Sequence, residues 1–362
     1  MGVEEEFLLL KPNGVVAPVA ADVARLAGAG DQIVPEYMAY QVETVTRACT
    51  GLDELRSELV RLRLLAARGA EQAGVRLVAS GTPPLGIGPV RRLTDNARYR
   101  ELARRFPDAT AVGGTCACHV HVGVADRDLA VEILARLRPW LPALLAMSVN
   151  SPFIGGTDSG WSSTRYRAQL RWPTFRPPET WTRADRYDRA VRALIARGAA
   201  MDPASVYFLA RLSARHPTVE VRVADACLTV EDTVLLAGVV RALVASLIDD
   251  ARRGGRMVAT PGAHVSASLL AAAHYGMSAR GARLRDQSSA AAARLVARLL
   301  AKITPSLVPT GDADDVRGGL ERLSRVGTGA DRQRDLWART AMPRAFVASL
   351  ADATVPGHLV PR

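Results

Sequence analysis

The sequence predicts an α+β protein. Three apolar stretches, around residues 2–10, 115–124 and 218–225, alternate with the period of a strand, and each carries polar groups two residues apart. Two others, 52–73 and 231–252, repeat their apolar residues with the period of a helix. Residues 261–350 are Ala- and Arg-rich and helical in pattern. With 362 residues, 48% of them hydrophobic, the chain can bury a large core. We expect one domain over residues 1–362, with its motifs in 1–252 and a helical C-terminal part in 253–362.

Residues 2–10 read as the first strand. Successive side chains on a strand point to opposite faces, so Glu4 and Glu6 share a face and Glu5 looks the other way. Two neighbouring carboxylates repel unless a cation or an arginine lies between them; a frayed acidic N-terminus is the alternative. Asn13-Gly14 is a turn signal, and residues 15–19 are expected to return as a second strand. A short helix over 20–29 ends in glycines, and 32–48 reads as extended, with Glu36, Gln41 and Glu43 as polar insertions. Gln41 and Glu43 share a face if that strand is regular. The helix over 52–73 is followed by a strand at 75–79 and a turn, Ser80-Gly81-Thr82-Pro83-Pro84. Thr94-Asp95 is expected to cap a helix through Tyr99 to Arg105.

The strand Thr115-Cys116-Ala117-Cys118-His119-Val120-His121-Val122-Gly123-Val124 is the most unusual one. His119 and His121 share a face with Ala117, while Cys116, Cys118, Val120 and Val122 point into a core. Two buried imidazoles need partners. The thiols lie on the other face and cannot close a zinc tetrahedron with them. A helix over 126–146 should bend at Pro139 and Pro142. The Gly- and hydroxyl-rich stretch 150–165 reads as a ligand-binding loop with Arg165 at its charged end, and Trp172, Phe175 and Trp181 as the lining of an entrance. A helix over 187–199, a strand over 206–210 and a strand over 218–225 follow. In the last of these Glu220 and Arg222 share a face, as a functional pair or as an exposed salt bridge.

Composition narrows the function. The formal net charge is +11, yet Lys11 and Lys302 are the only lysines. Neither has a phosphate-loop context, so a nucleotide here must be held by metal ions and arginines. The arginines are scattered through helical stretches without interleaved aromatics, which argues against a nucleic-acid partner. No apolar run reaches membrane-spanning length, and Glu4, Glu5 and Glu6 stand where a signal peptide carries positive charge. We expect no membrane partner and a cytoplasmic location. Cys49, Cys116, Cys118 and Cys227 are too few for a disulfide scaffold.

The pairs Glu4/Glu6, His119/His121 and Glu220/Arg222, with Gln41/Glu43 as a fourth, share one pattern. If their strands are neighbours in one sheet, one face carries carboxylates, imidazoles and an arginine. That is a hard-ligand surface suited to Mg²⁺ or Mn²⁺ with phosphate oxygens, and it supports phosphoryl transfer.

Four motifs in order resemble the type 2 glutamate–cysteine ligase family, carboxylate–amine ligases related to glutamine synthetase. They are Gly2-Val3-Glu4-Glu5-Glu6-Phe7, His119-Val120-His121-Val122-Gly123, Asn150-Ser151-Pro152-Phe153 with Gly156-Thr157-Asp158 and Ser162-Ser163-Thr164-Arg165, and Thr218-Val219-Glu220-Val221-Arg222. The resemblance covers roughly residues 1–250. It implies a curved, mainly antiparallel sheet forming a funnel-shaped active site, with helices packed on its outer face, as in the glutamine synthetase catalytic domain. It implies ATP-dependent amide formation through an acyl phosphate, with ATP as co-substrate and Mg²⁺ or Mn²⁺ bound. By this likeness Glu4, Glu6, Glu43, His119 or His121, and Glu220 would hold two or three divalent cations. Arg165, Arg222 and Glu43 would be catalytic, the arginines facing the γ-phosphate or the substrate carboxylate. Tyr99, Thr115, Asp158 and Ser163 would join Arg165 and Arg222 in binding nucleotide or substrate. The implied partners are a small carboxylic acid and an amino acid-like amine, in a homodimer.

The chain departs from the family pattern at Gly81-Thr82-Pro83-Pro84, where the family tends to carry Gly-Thr-His-Pro, and at Ala273-His274-Tyr275-Gly276, where Arg tends to precede Tyr-Gly. Both departures fall where substrate recognition could lie, so the acid and amine are open to being non-standard. Two other readings of the same face stay open: a guanido-kinase-type phosphotransferase, and an inactive ligand-binding homologue.

Overall fold

A computed structural model describes residues 1–86, 92–257, 260–277 and 287–355. The strands are β1 (Gly2–Leu10), β2 (Ile33–Pro35), β3 (Gln41–Val45), β4 (Arg76–Val78), β5 (Ala117–Gly123), β6 (Phe153–Ile154), β7 (Thr157–Asp158), β8 (Ala210–Leu212) and β9 (Thr218–Asp225). The first helices are α1 (Ala20–Ala27), α2 (Leu52–Gln72), α3 (Ala97–Arg105), α4 (Pro107–Thr110), α5 (Arg127–Leu137), α6 (Leu141–Ser148) and α7 (Thr164–Gln169). They are followed by α8 (Ala184–Ala196), α9 (Val230–Arg252), α10 (Gly262–Tyr275), α11 (Gln287–Thr310), α12 (Ala313–Val326), α13 (Gly329–Thr340) and α14 (Pro343–Thr354).

One seven-stranded sheet runs in the order β2-β3-β1-β5-β9-β8, with β4 beside the end of β1. Every pairing in it is antiparallel. β1 is central: β3 flanks one edge, and β5 and β4 follow one another along the other. Its odd-numbered residues face the helices. Val3 joins the large core with Cys118, Val120, Val219 and Val221 against α5, α6 and α9, and Phe7 and Leu9 pack on α1 and α2. Its even-numbered residues face the other way, Glu4 and Glu6 first, then Leu8 and Leu10 in a third core closed by Phe346, Val347 and Leu350 of α14. The fold is therefore α+β, with an antiparallel sheet backed by helices.

Behind the polar face sits a buried ion pair. Arg63 of α2 reaches Glu5 with Nε–Oε2 3.0 Å and Nη2–Oε1 2.6 Å, and neither side chain is more than 1% exposed. The guanidinium also donates to the carbonyls of Cys227, Leu228 and Thr354 and to the Thr233 hydroxyl. One arginine thus ties β1 to α2, to the β9–α9 connection and to the end of α14, with its donors spread over carboxylate and carbonyl oxygens as a buried charge requires.

The structure corrects several local expectations. Residues 15–19 form no strand: Val16 makes a single bridge to Leu10 and the chain turns into α1. The cap of α3 is Asn96, which accepts from the Arg98 N–H at 2.8 Å, because the Thr94 hydroxyl is engaged with the Glu36 carbonyl. The 32–48 stretch is two strands with a turn between them, and the strand expected at 206–210 lies at β8. Trp172 and Phe175 are core residues and line no entrance; Trp172 packs between Phe106 and Tyr207, with ring centroids 5.6 and 4.8 Å away. Cys116 precedes β5, so strand alternation does not extend to it, and it packs with Leu8 and Leu10 rather than with Cys118. The expected bend is present, with a 3₁₀ turn Arg138–Trp140 between α5 and α6. Of the helical stretch 261–350, residues 278–286 lie outside the described residues.

Candidate active site

Pairing register brings the strand pairs onto one face. Glu4 lies opposite His119, Glu6 opposite Glu43, and His121 opposite Glu220, which in turn faces Arg211 of β8. Glu4, His119 and Glu220 each present a ligand atom, and these atoms lie within 4.8 Å of one another; Glu6, Glu43 and His119 form a second such set. His119 belongs to both sets and His121 to neither.

The two histidines are held differently. His119 Nδ1 is 3.1 Å from Glu4 Oε2 and 3.4 Å from Arg222 Nη1. A single Nδ1 cannot donate to one and accept from the other, and the nearer carboxylate assigns it the proton, leaving the Nε2 lone pair available. Burial and the Arg222 charge push the His119 imidazolium down to about 4, so the ring is neutral at neutral pH. His121 Nδ1 is 2.9 Å from the Thr218 hydroxyl. Its Nε2 is buried without a hydrogen bond, 3.3 Å from Glu4 Oε1.

The carboxylates divide by charge. Burial pushes Glu4 up, but the His119 and His121 rings outweigh it and hold the group below the usual carboxylate range. Burial also opposes charge on Glu220, yet Arg222 and Arg211 hold it low. Arg211 grips Glu220 with a fork of 2.7 and 3.2 Å, and Arg222 contacts the same carboxylate. On the β3 side the balance reverses. Burial, then Glu36, pushes Glu6 up to about 8 despite the 2.7 Å bond it accepts from the Ala117 N–H. Burial and the charges of Glu36, Glu4 and Glu6 push Glu43 well up, and Glu36 is raised chiefly by burial. These three carboxylates, crowded and buried, resist charging together.

The remaining expected residues lie at several places. Tyr99 donates to Glu36 Oε2 at 3.2 Å and stacks edge-on against Tyr37. Thr115 precedes β5; its hydroxyl is bonded to Gln169 and its carbonyl accepts from Gln41 at 2.9 Å. Ser163 is buried as the N-cap of α7 and donates to Asp225 Oδ1 at 2.8 Å. Asp158 is exposed at the β6–β7 hairpin, accepts from the Gly160 N–H at 3.0 Å and is gripped by Arg334 of α13 at 2.8 and 3.1 Å, away from the polar face of the sheet. Arg165 is 3% exposed; it donates to the carbonyls of Val223 and Arg222, both at 3.3 Å.

Arg211 and Asp225 also belong to this face without being assigned there from the sequence, and so does Glu36, which the sequence shows only as a polar insertion. Glu36 follows Pro35 at the end of the edge strand β2, a position with no alternation to read. Arg211 alternates between Ala210 and Leu212, a signal that was present but was hidden by placing that strand at 206–210. Asp225 has the wrong parity relative to Glu220 in a regular strand.

A family model described as glutamate–cysteine ligase family 2 matches residues 1–352. A protein of Salinispora tropica, provisionally named glutamate–cysteine ligase 2, is 44% identical over 360 residues, 98% of this chain and 95% of the relative. A similarly named protein of Mycobacterium sp. (strain KMS) is 40% identical over 359 residues, 98% of each chain. Among solved structures, the glutamate–cysteine ligase of Francisella tularensis, determined with AMP, is similar with a TM-score of 0.66 at 13% identity, covering 97% of this chain and 86% of that one. A bifunctional glutathione synthetase from Pasteurella multocida gives a TM-score of 0.68 at 13% identity; this chain, 97% covered, spans 51% of its length. At that identity the two structures speak to the fold.

Proposed function

The chain belongs to glutamate–cysteine ligase family 2 and is an ATP-dependent carboxylate–amine ligase, and from that premise we propose how its polar face is used. Glu4 and Glu220 hold one divalent cation, Glu6 and Glu43 a second, and the single free Nε2 of His119 ligates one of the two. Glu36 and His121 complete these sets, and Mg²⁺ or Mn²⁺ is the resident ion. The donor set supports this reading: carboxylate oxygens and neutral imidazole nitrogen are the ligands hard cations take. So do the unbonded, buried His121 Nε2 and the crowding of Glu6, Glu36 and Glu43, whose mutual repulsion a cation would relieve. When bound, such ions neutralise phosphate oxygens of the nucleotide.

In the reaction a carboxylate oxygen of the acid attacks the γ-phosphorus and ADP leaves. The amine nitrogen then attacks the acyl carbon, losing a proton, and phosphate leaves. Arg222 is assigned to the transferred phosphoryl group, which it meets as a fixed cation beside His119 and Glu220. Arg211 fixes Glu220 and lowers its proton affinity. Arg165 is not assigned to the phosphate, because its terminal nitrogens are taken by backbone carbonyls. Tyr99, through Glu36, is assigned to the rim where substrate enters. We further propose a single catalytic domain, since Gln333 of α13 bonds Asn150, beside the sheet, at 2.8 Å, and a cytoplasmic homodimer.

The observation that carries this reading is the pair of overlapping ligand sets sharing His119. ADP release with Mg²⁺ or Mn²⁺ tests it, over a matrix of carboxylic acids and amines that starts with glutamate and cysteine, the pair named in the relatives. We expect ADP that depends on both acid and amine. No such dependence across a broad matrix would overturn the reading.

A further inference from the structure

The register of β5 against β9 breaks once. Cys118 faces Ala224 and Val120 faces Val221, so His119 alone stands opposite two residues, Arg222 and Val223. This is a bulge on β9, and a bulge re-aims side chains and leaves backbone groups outside the ladder. It has two consequences. It rotates the end of the strand, so Asp225, paired with Ala117, comes onto the same face as His119 and Glu220. It also presents the carbonyls of Arg222 and Val223 to the polar side, where each needs a donor.

Arg165 supplies both. Its Nη1 donates to the Val223 carbonyl and its Nη2 to the Arg222 carbonyl, each at 3.3 Å, while the Arg222 N–H is held by the Leu209 carbonyl at 2.9 Å. Asp225 also pairs with this arginine, with Oδ1 3.7 Å from the same Nη1. The Asp225 carboxylate is itself over-determined: it accepts from the Asn150 N–H at 2.9 Å, the Ser151 hydroxyl at 2.7 Å and the Ser163 hydroxyl at 2.8 Å. Gly81 lies against it so closely that a Cβ there would sit 2.9 Å from Asp225 Oδ2. The hydroxyl-rich segment 150–165 thus builds a cradle for one carboxylate and one guanidinium, both buried, at the break in the β5–β9 register.

We propose that Arg165 and Asp225 are positioning residues that lock the β9 bulge and thereby aim Arg222. The proposal rests on the ligase reading and on the assignment of Arg222 to the phosphates. It differs from what the sequence motif implies for Arg165, which is direct contact with phosphate or substrate carboxylate.

A double-mutant cycle on ADP affinity separates the two. The dissociation constant of ADP in saturating Mn²⁺ is measured by titration calorimetry for the wild type, Arg165→Lys, Arg222→Gln and the double variant. Lysine keeps the charge of Arg165 but cannot fork to two carbonyls. We expect Arg165→Lys to weaken ADP by about tenfold in the wild-type background and by no more than about twofold when Arg222 is already Gln. Asp225→Asn, run through the same cycle, should behave alike, and it carries the test if Arg165→Lys does not fold. Equal loss in both backgrounds would overturn the proposal, since Arg165 would then act without Arg222. So would no loss in the wild-type background. A wild type that binds neither Mn²⁺ nor ADP overturns the ligase reading itself, which the cycle thus distinguishes from failure of the bulge lock.

Discussion

Glu220 shows how a residue's role and its stability become entangled. Its carboxylate is buried, gripped by the Arg211 fork and touched by Arg222. We expect Glu220→Gln to lower cation-dependent turnover by at least about 100-fold. We also expect it to lower the melting temperature, because two arginines lose their counter-charge in a buried site. Steady-state ADP release and thermal melting on one preparation check both; turnover within a few-fold of wild type would remove Glu220 from the site. Arg63 offers the contrast. Its Arg63→Met variant leaves Glu5 buried and unpaired, which should cost about 3–5 kcal/mol in urea denaturation, while Mn²⁺ affinity of the folded fraction stays close to wild type. The i, i+2 pairs were legible in the sequence because β1, β5 and the first part of β9 are regular. Asp225 was not, since one extra residue inverts parity beyond the bulge.

At the scale of elements, periodicity located the long helices and the main strands, and it failed where a neighbour overrides local preference. Thr94 gives up capping because the Glu36 carbonyl takes its hydroxyl. Trp172 looks like a loop aromatic in sequence and proves to be core because Phe106, ahead of α4, and Tyr207 pack against it. The packing of α1 on α2 turns on Gly69. A Cβ there would come within 2.6 Å of the Val23 carbonyl and 3.0 Å of the Ala27 nitrogen. These are backbone atoms that cannot move aside singly, so Gly69→Ala should destabilise the fold by about 1–3 kcal/mol. Equilibrium unfolding reads this directly; a neutral result would mean that α1 slides on α2 without cost.

For the whole molecule, the polar face should make stability depend on pH and on cations together. Glu6, with its folded value near 8, stabilises most below its ordinary value of 4.5, and that contribution drains away as pH climbs through 8. Glu36 and Glu43, also raised, act in the same sense. Glu4 and Glu220, held low, contribute above the ordinary range and lose that contribution as pH falls through it. The cation-free protein should therefore melt at a lower temperature at pH 8 than near pH 5. Mn²⁺ should raise the melting temperature more at pH 8 than at pH 5, because ion binding requires the carboxylates to be ionised. Differential scanning calorimetry of chelator-treated protein checks this, and a cation effect that is absent or independent of pH would count against ligation by this cluster.

The sequence by itself determined the α+β class, the strands that carry the polar pairs and the four motifs that point to a ligase family. Alternation and side-chain chemistry are local properties, readable a few residues at a time. The tertiary structure decided which strands are neighbours, and so why Glu4 meets His119 and Glu6 meets Glu43. It decided that Glu36 and Arg211 join them from an edge turn and an edge strand. It also decided that Arg165 faces the backbone of a bulge. Those outcomes depend on register, and register is set by contacts between residues far apart in the chain.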